Sequence, residues 1–184
     1  VLTGAGRVFG VRFRPGGFRP FLDAPVSSIT GRFRPVDEVY GAAGRELCER
    51  VLSAGDAAAV AAADAFLSAF SPRRDADADL VAAVVERTIG DPGITRVDQL
   101  ATASGVGVRR LQRLFRDHVG VGPKWVIRRY RLHEAAARAA DGAGLDLVRL
   151  AAELGYSDQA HLTRDFTALV GCPPARYARA QLVP

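Results

Sequence analysis

Apolar residues recur at helical spacing along most of the chain, and the polar positions between them change character from one stretch to the next. From about Gly44 to Phe70 the residues Leu47, Val51, Leu52, Val60, Phe66, Leu67 and Phe70 are spaced for helix, with a break at Gly55. "SPRRDADAD" then reads as a linker, and a helix is predicted from about Asp79 to Ile89, ended by "GDPG". The first 40 residues differ: they carry β-type runs, "RVFGVRF" and "SSITGRF", broken by Pro15, Gly16, Gly17, Pro20, Pro25 and Pro35. Two or three strands are predicted there, too few to close a sheet.

After Gly93 the helical pattern repeats. Leu100, Ala101 and Gly105 match Leu150, Ala151 and Gly155 at an offset of fifty, and Leu111, Arg113, Phe115, Val119, Gly120 and Pro123 match Leu162, Arg164, Phe166, Val170, Gly171 and Pro174 at fifty-one. The one-residue slip falls in the turn. Each copy is a short helix, a glycine turn and a second helix ending at Val-Gly with proline close behind, which is a helix-turn-helix. Ala101 and Ala151 let the paired helices cross closely, and Gly105 and Gly155 stand where the turn needs positive φ.

The second helix of each copy separates its faces. With Leu111 at zero and steps of about 100°, Val108, Leu114, Phe115, His118 and Val119 fall within about 80° of it, whereas Arg109, Arg113 and Arg116 fall between about 140° and 200°, with Gln112 beside them and Arg110 on the flank. Like charges stacked this way repel by some tenths of a kcal/mol per pair, so a purely structural helix gains nothing from them. A DNA duplex reverses that sign, and arginine is the side chain that pairs bidentately with guanine in the major groove, as glutamine does with adenine. In the second copy, Ala160, Arg164 and Thr167 point away from the apolar face, flanked by His161 and Thr163, and Arg164 takes the place of Arg113. Gln159 stands at the helix start within reach of a base edge, while Asp158 is expected to accept backbone N–H bonds of the first turn.

Charge sharpens the picture. Residues 41–93 hold 5 Arg against 9 acidic residues, whereas residues 94–140 hold 10 Lys or Arg against 3, a local net of +7. A basic block beside an acidic one points to a polyanionic partner of local footprint. Between the copies, "PKWVIRRYRLHEAAARAA" is predicted as one helix opened by Pro123; at 1.5 Å per residue its 18 residues span about 27 Å, near the ~34 Å of one duplex turn. Arg116, Lys124, Arg128, Arg129, Arg131 and Thr167 are candidates for backbone phosphates. Trp125 and Tyr130 are assigned to the core, and His118 and His133 to structural roles. The chain is 48% hydrophobic, enough for one or two cores, and has no apolar run near the ~20 residues of a membrane span, so a cytoplasmic protein without cofactor is expected. Cys48 and Cys172 lack metal-ligand spacing and read as ordinary buried thiols. The absence of Met fits either a removed initiator or a piece of a longer protein.

On "LATASGVGVRRLQRLFRDHVGVGPKWVIRRYRLHEAA" and "LAAELGYSDQAHLTRDFTALVGCPPARY" the chain resembles the DNA-binding domain of the AraC/XylS family of bacterial transcription regulators. The resemblance implies a mainly α fold: a C-terminal double helix-turn-helix joined by a long linker helix, preceded by a helical linker and a short β remnant. Its domains would be 1–43, the end of a sensory domain similar to that of one subgroup; 44–78, a helical linker; and 79–181, the DNA-binding domain, with helix-turn-helix units about 95–119 and 146–170 and the linker helix about 123–140. Carried over by position, Arg109, Arg110, Gln112 and Arg113 read bases in the first unit, and Gln159, His161, Thr163 and Arg164 in the second. Departures are Leu162 for a commoner Phe, Asp165 after Arg164, and Gly107 where Ser or Thr often caps, the last costing up to ~1 kcal/mol. The implied partners are double-stranded promoter DNA, RNA polymerase and a small-molecule effector acting through the front domain. Two alternatives remain open: a DNA-repair alkyl acceptor, which needs an activated cysteine, and a protein-binding adaptor that has lost DNA contact.

Overall fold

The computed structural model describes residue 6, residues 8–141 and residues 146–181. These residues fall into two compact units, one built from the chain up to residue 82 together with 114–120, the other from 83–113 together with 121 onward. The described residues are mainly helical and include no strand.

The strands expected before residue 40 are therefore replaced by irregular chain and two 3-10 turns, Arg19–Phe21 and Val26–Ile29; Arg7, which opens the first of those runs, lies outside the described residues. Proline is the reason. Pro20 sits inside the first turn and Pro25 immediately before the second, each without a ladder donor and each with φ already near that of a turn. Phe13 of the first run packs instead on the segment that follows it, 4.9 Å from Phe18 and 5.2 Å from Phe21 between ring centroids, while Phe33 of the second run is exposed.

Helix α1 (Val36–Ser53) starts directly after Pro35, earlier than the helix predicted from Gly44, and carries a kink at Gly41, whose φ of 63° and ψ of −141° suit a residue without Cβ. Helix α2 (Asp56–Ser68) folds back on α1, burying Ala59 and Ala62 against Val51, with Leu47 and Phe9 alongside. Tyr40 of α1 meets Phe66 and Phe70 edge-on at 5.2 and 5.4 Å. Helix α3 (Ala76–Gly90) ends at the predicted "GDPG".

The doubled unit folds as its spacing requires. Helices α4 (Val97–Ser104) and α5 (Val108–His118) form the first copy, α6 (Pro123–Ala140) the connecting helix, α7 (Leu147–Glu153) and α8 (Gln159–Val170) the second copy, and α9 (Pro174–Gln181) closes the described chain. Gly105 and Gly155 adopt φ of 63° and 75°, and each turn is closed by the same bond: Val106 N–H donates to the Ala101 carbonyl at 3.1 Å, Tyr156 N–H to the Ala151 carbonyl at 2.9 Å. Helix starts are capped by side chains. The Gln99 carbonyl oxygen accepts from the Arg96 and Thr95 N–H groups at α4, and the Asp146 carboxylate accepts from Val148 and Arg149 N–H, each at 3.0 Å, at α7. The rear core joins Leu132 and Ala135 of α6, Leu150, Ala151 and Leu154 of the second turn region, and Leu162 and Phe166 of α8, with Tyr177 of α9 set against Phe166.

Candidate nucleic-acid interface

In α5 the apolar stripe is turned inward: Leu111, Leu114 and Phe115 are buried, while Arg109, Arg110, Gln112, Arg113 and Arg116 are all exposed. Among the described residues no carboxylate pairs with Arg109, Arg113 or Arg116, so three cations on one helix face keep their donors for a partner. Val108, expected on the inner face, is more than a third exposed, because it opens the helix before the packed turn. The end of α5 is held within the front unit. His118 is buried, its Nδ1 3.2 Å from the Leu114 carbonyl and its Nε2 3.0 Å from the Asp75 carboxylate, and the Thr30 hydroxyl donates to the Gly120 carbonyl at 2.7 Å. His118 is thus structural, as expected. Burial works to raise the Asp75 carboxyl, but hydrogen bonds from His118 and from the Ala78 and Asp77 N–H groups outweigh it and hold it below its ordinary value.

In α8, Gln159, Ala160 and Arg164 are exposed, and His161, Thr163 and Thr167 are half-buried beside them. Asp158 does what its place at the helix start requires: its carboxylate accepts from the His161 N–H at 2.7 Å, and that bond holds its pKa below the ordinary carboxylate value. The His161 ring stands 3.1 Å from the Ser157 hydroxyl and meets Tyr156 edge-on at 5.0 Å. The Thr167 hydroxyl donates to the Thr163 carbonyl at 2.7 Å, one turn back. An open concavity between α7 and the first turns of α8 has Gln159, Thr163 and Arg164 along its wall.

The connecting helix divides its cations. Lys124 is exposed. Arg131 is only 2% exposed, and its guanidinium donates to the Thr88 carbonyl and, at 3.2 Å, to the Asp91 carbonyl, so it is withdrawn from the phosphate candidates. Burial pulls its pKa below the ordinary arginine value, with Glu134 and Asp91 pulling back. Pro92 explains the arrangement: the Thr88 carbonyl would receive the N–H four residues on, and proline has none. Two signals could have found this. Arg131 lies one turn from Ile127 and one from Ala135, both buried, and Pro92 announces an orphaned carbonyl.

Arg128 also has a partner, the Asp165 carboxylate of α8, a residue noted in the sequence only as a departure from the family pattern. Trp125, assigned to the core, is instead 53% exposed in the first turn of α6, with the Arg129 guanidinium 5.9 Å from its ring centroid; Tyr130, also assigned to the core, is half-buried, 6.1 Å from the ring of the exposed His133. Cys48 and Cys172 are half-buried rather than buried. Among the described residues no group of His, Cys, Asp and Glu could hold a metal, and no helix is long and apolar enough to cross a membrane.

A family model described as a helix-turn-helix domain matches residues 100–180, which hold the second half of the first copy's opening helix, both outward-facing helices and α9. The probable transcription factor PqrA of Proteus vulgaris is 30% identical over 89 residues, 48% of this chain and 72% of that protein. The chain belongs to the AraC/XylS family of DNA-binding transcription regulators. A second family model, a domain of unknown function, matches residues 1–35, ahead of the AraC-type region. A solved transcriptional regulator with an AraC-type DNA-binding domain, from Chromobacterium violaceum, is 20% identical, covers 55% of this chain and 90% of its own, and superposes with a TM-score of 0.49.

Proposed function

We propose that this regulator recognises promoter DNA by laying α5 and α8 into two successive major-groove segments, with Arg109, Arg110, Gln112 and Arg113 reading bases in one and Gln159, His161, Thr163 and Arg164 in the other. The observation that carries this reading is that corresponding arginines of the two copies, Arg113 and Arg164, are both exposed opposite buried leucines at corresponding positions, Leu111 and Leu162. Arg116, Lys124 and Thr167 take backbone phosphates, whose neutralisation supplies affinity without sequence preference.

Selection of bound sites from a random duplex library tests the proposal and defines the operator. On that operator, Arg113→Ala and Arg164→Ala should each cost about 1–3 kcal/mol and relax base preference at separate positions. Arg116→Ala should weaken all sequences alike and reduce the salt slope by about one. Unchanged base preference in both reader variants would remove α5 and α8 as readers.

An effector has a seat of suitable size. Within the front unit a cavity of about 520 Å³ is walled by Phe13, Tyr40, Val51, Phe66 and Leu67, with Cys48 at its edge, which suits a small, apolar, ring-bearing compound. Compounds that alter promoter binding should slow the reaction of Cys48 with a thiol reagent; labelling at an unchanged rate would exclude the cavity. RNA polymerase is the further partner of such a regulator, and transcription in vitro from the selected operator distinguishes activation from repression.

A further inference from the structure

We infer that Arg128 and Asp165 are positioning residues for the second half of the operator: the ion pair fixes the rotation of α8 about its axis, and with it the aim of Gln159, Thr163 and Arg164. This rests on the proposed reading of DNA by α8. Asp165 follows Arg164 directly but points the other way, 7% exposed, on the side of α8 that packs against α6. There Arg128 reaches across from α6 and donates to one carboxylate oxygen.

The remaining contact between these helices is apolar, Leu162 and Phe166 against Leu132 and Ala135. Apolar packing is non-directional and tolerates small rotations. A buried carboxylate does not, because turning it away from its guanidinium partner leaves a charge in a poorly solvated place. The second Asp165 oxygen is buried without a hydrogen-bond partner among the described residues, with His161 Nε2 3.7 Å away and the buried Tyr156 hydroxyl nearby, so the bond from Arg128 is what holds this carboxylate.

The geometry converts a small rotation into a large error at the bases. With side-chain tips about 6 Å from a helix axis, a rotation of roughly 20° shifts them by about 2 Å. Hydrogen bonds to base edges survive changes of only about 0.5 Å. Arg128 therefore contributes to recognition through α8 rather than by binding a phosphate itself.

The test uses the whole chain and the operator selected by it, with the positions relaxed by Arg164→Ala defining the second half-site and those relaxed by Arg113→Ala the first. Arg128→Ala, Asp165→Asn and the double variant are compared by site selection and by affinity across a salt series. The expected result is about tenfold loss of base discrimination at the second half-site, intact preference at the first, an unchanged salt slope for Arg128→Ala, and a double variant no worse than either single change. A slope reduced by about one in Arg128→Ala makes Arg128 a phosphate contact and overturns the inference. Retained discrimination at the second half-site overturns it equally. The double variant leaves no buried charge unpaired and carries the test should either single change fail to fold. Failure of the unaltered chain to select any sequence would instead refute DNA reading itself.

Discussion

Replacing Arg131 with Met separates the two fates available to a cation on the connecting helix. The guanidinium makes two charge-assisted hydrogen bonds to carbonyls at the end of α3, each worth roughly 1.5–3 kcal/mol, so the gross loss is about 3–6 kcal/mol. Met keeps most of the apolar stem. Removing a cation that is 2% exposed also removes its desolvation penalty, which offsets part of the loss. The Thr88 carbonyl, which Pro92 cannot serve, is then left buried and unpaired, and a net destabilisation of about 2–4 kcal/mol remains. The assay is urea unfolding followed by fluorescence. The chain has one tryptophan, Trp125, on the same helix as Arg131, so the signal reports the unit that holds both. DNA affinity across a salt series is measured in parallel, under conditions where the variant is folded. A stability change under about 0.5 kcal/mol together with a salt slope reduced by about one would refute the buried assignment and restore Arg131 to the duplex surface.

The two turn glycines predict a contrast. A Cβ at Gly155 would stand 2.5 Å from the Thr95 Cβ, whereas at Gly105 it would meet nothing within 4 Å, so Gly155→Ala should cost about 1–3 kcal/mol more than Gly105→Ala, which bears only the left-handed φ penalty of ~1 kcal/mol; equal losses in thermal melts would show that Thr95 yields freely. Asp158 has a lowered pKa, so its contribution to α8 is present above the ordinary carboxylate value and is lost as pH falls through the lowered one. Asp158→Ala should therefore flatten the acid limb of a stability profile while Asp158→Asn keeps an acceptor at the cap, and an unchanged limb in the Ala variant would deny the cap its role.

The repeat made the rear fold legible before any coordinates. Two glycines at matching places foretold two left-handed turns, Pro123 foretold the start of α6, and the alternation of Leu111, Leu114 and Phe115 with arginine foretold which side of α5 faces out. These are local signals, read from neighbours within a turn or two. What escaped was set by residues far apart in sequence. Arg131 had a local warning in Ile127 and Ala135 one turn away, but nothing within a turn of it mentions the carbonyl of Thr88, and nothing within a turn of Arg128 mentions Asp165. Trp125 was misplaced for a related reason: hydrophobicity speaks for burial, but the first turn of a helix is buried only where another element happens to cover it. The strands expected before residue 40 failed because β-type composition needs a partner edge, and the prolines that punctuate the segment remove the donors such an edge would use.

On the proposed reading of DNA by α5 and α8, the anchoring of α5 makes the two half-sites unequal. Its last turns belong to the front unit through the Asp75–His118 and Thr30–Gly120 contacts, whereas α8 lies wholly within the rear unit. A compound that reshapes the front unit would then act directly on the last turns of α5, which that unit holds. Signal and sequence would then be divided between the half-sites, one tuned by the cell's chemistry and the other a constant address.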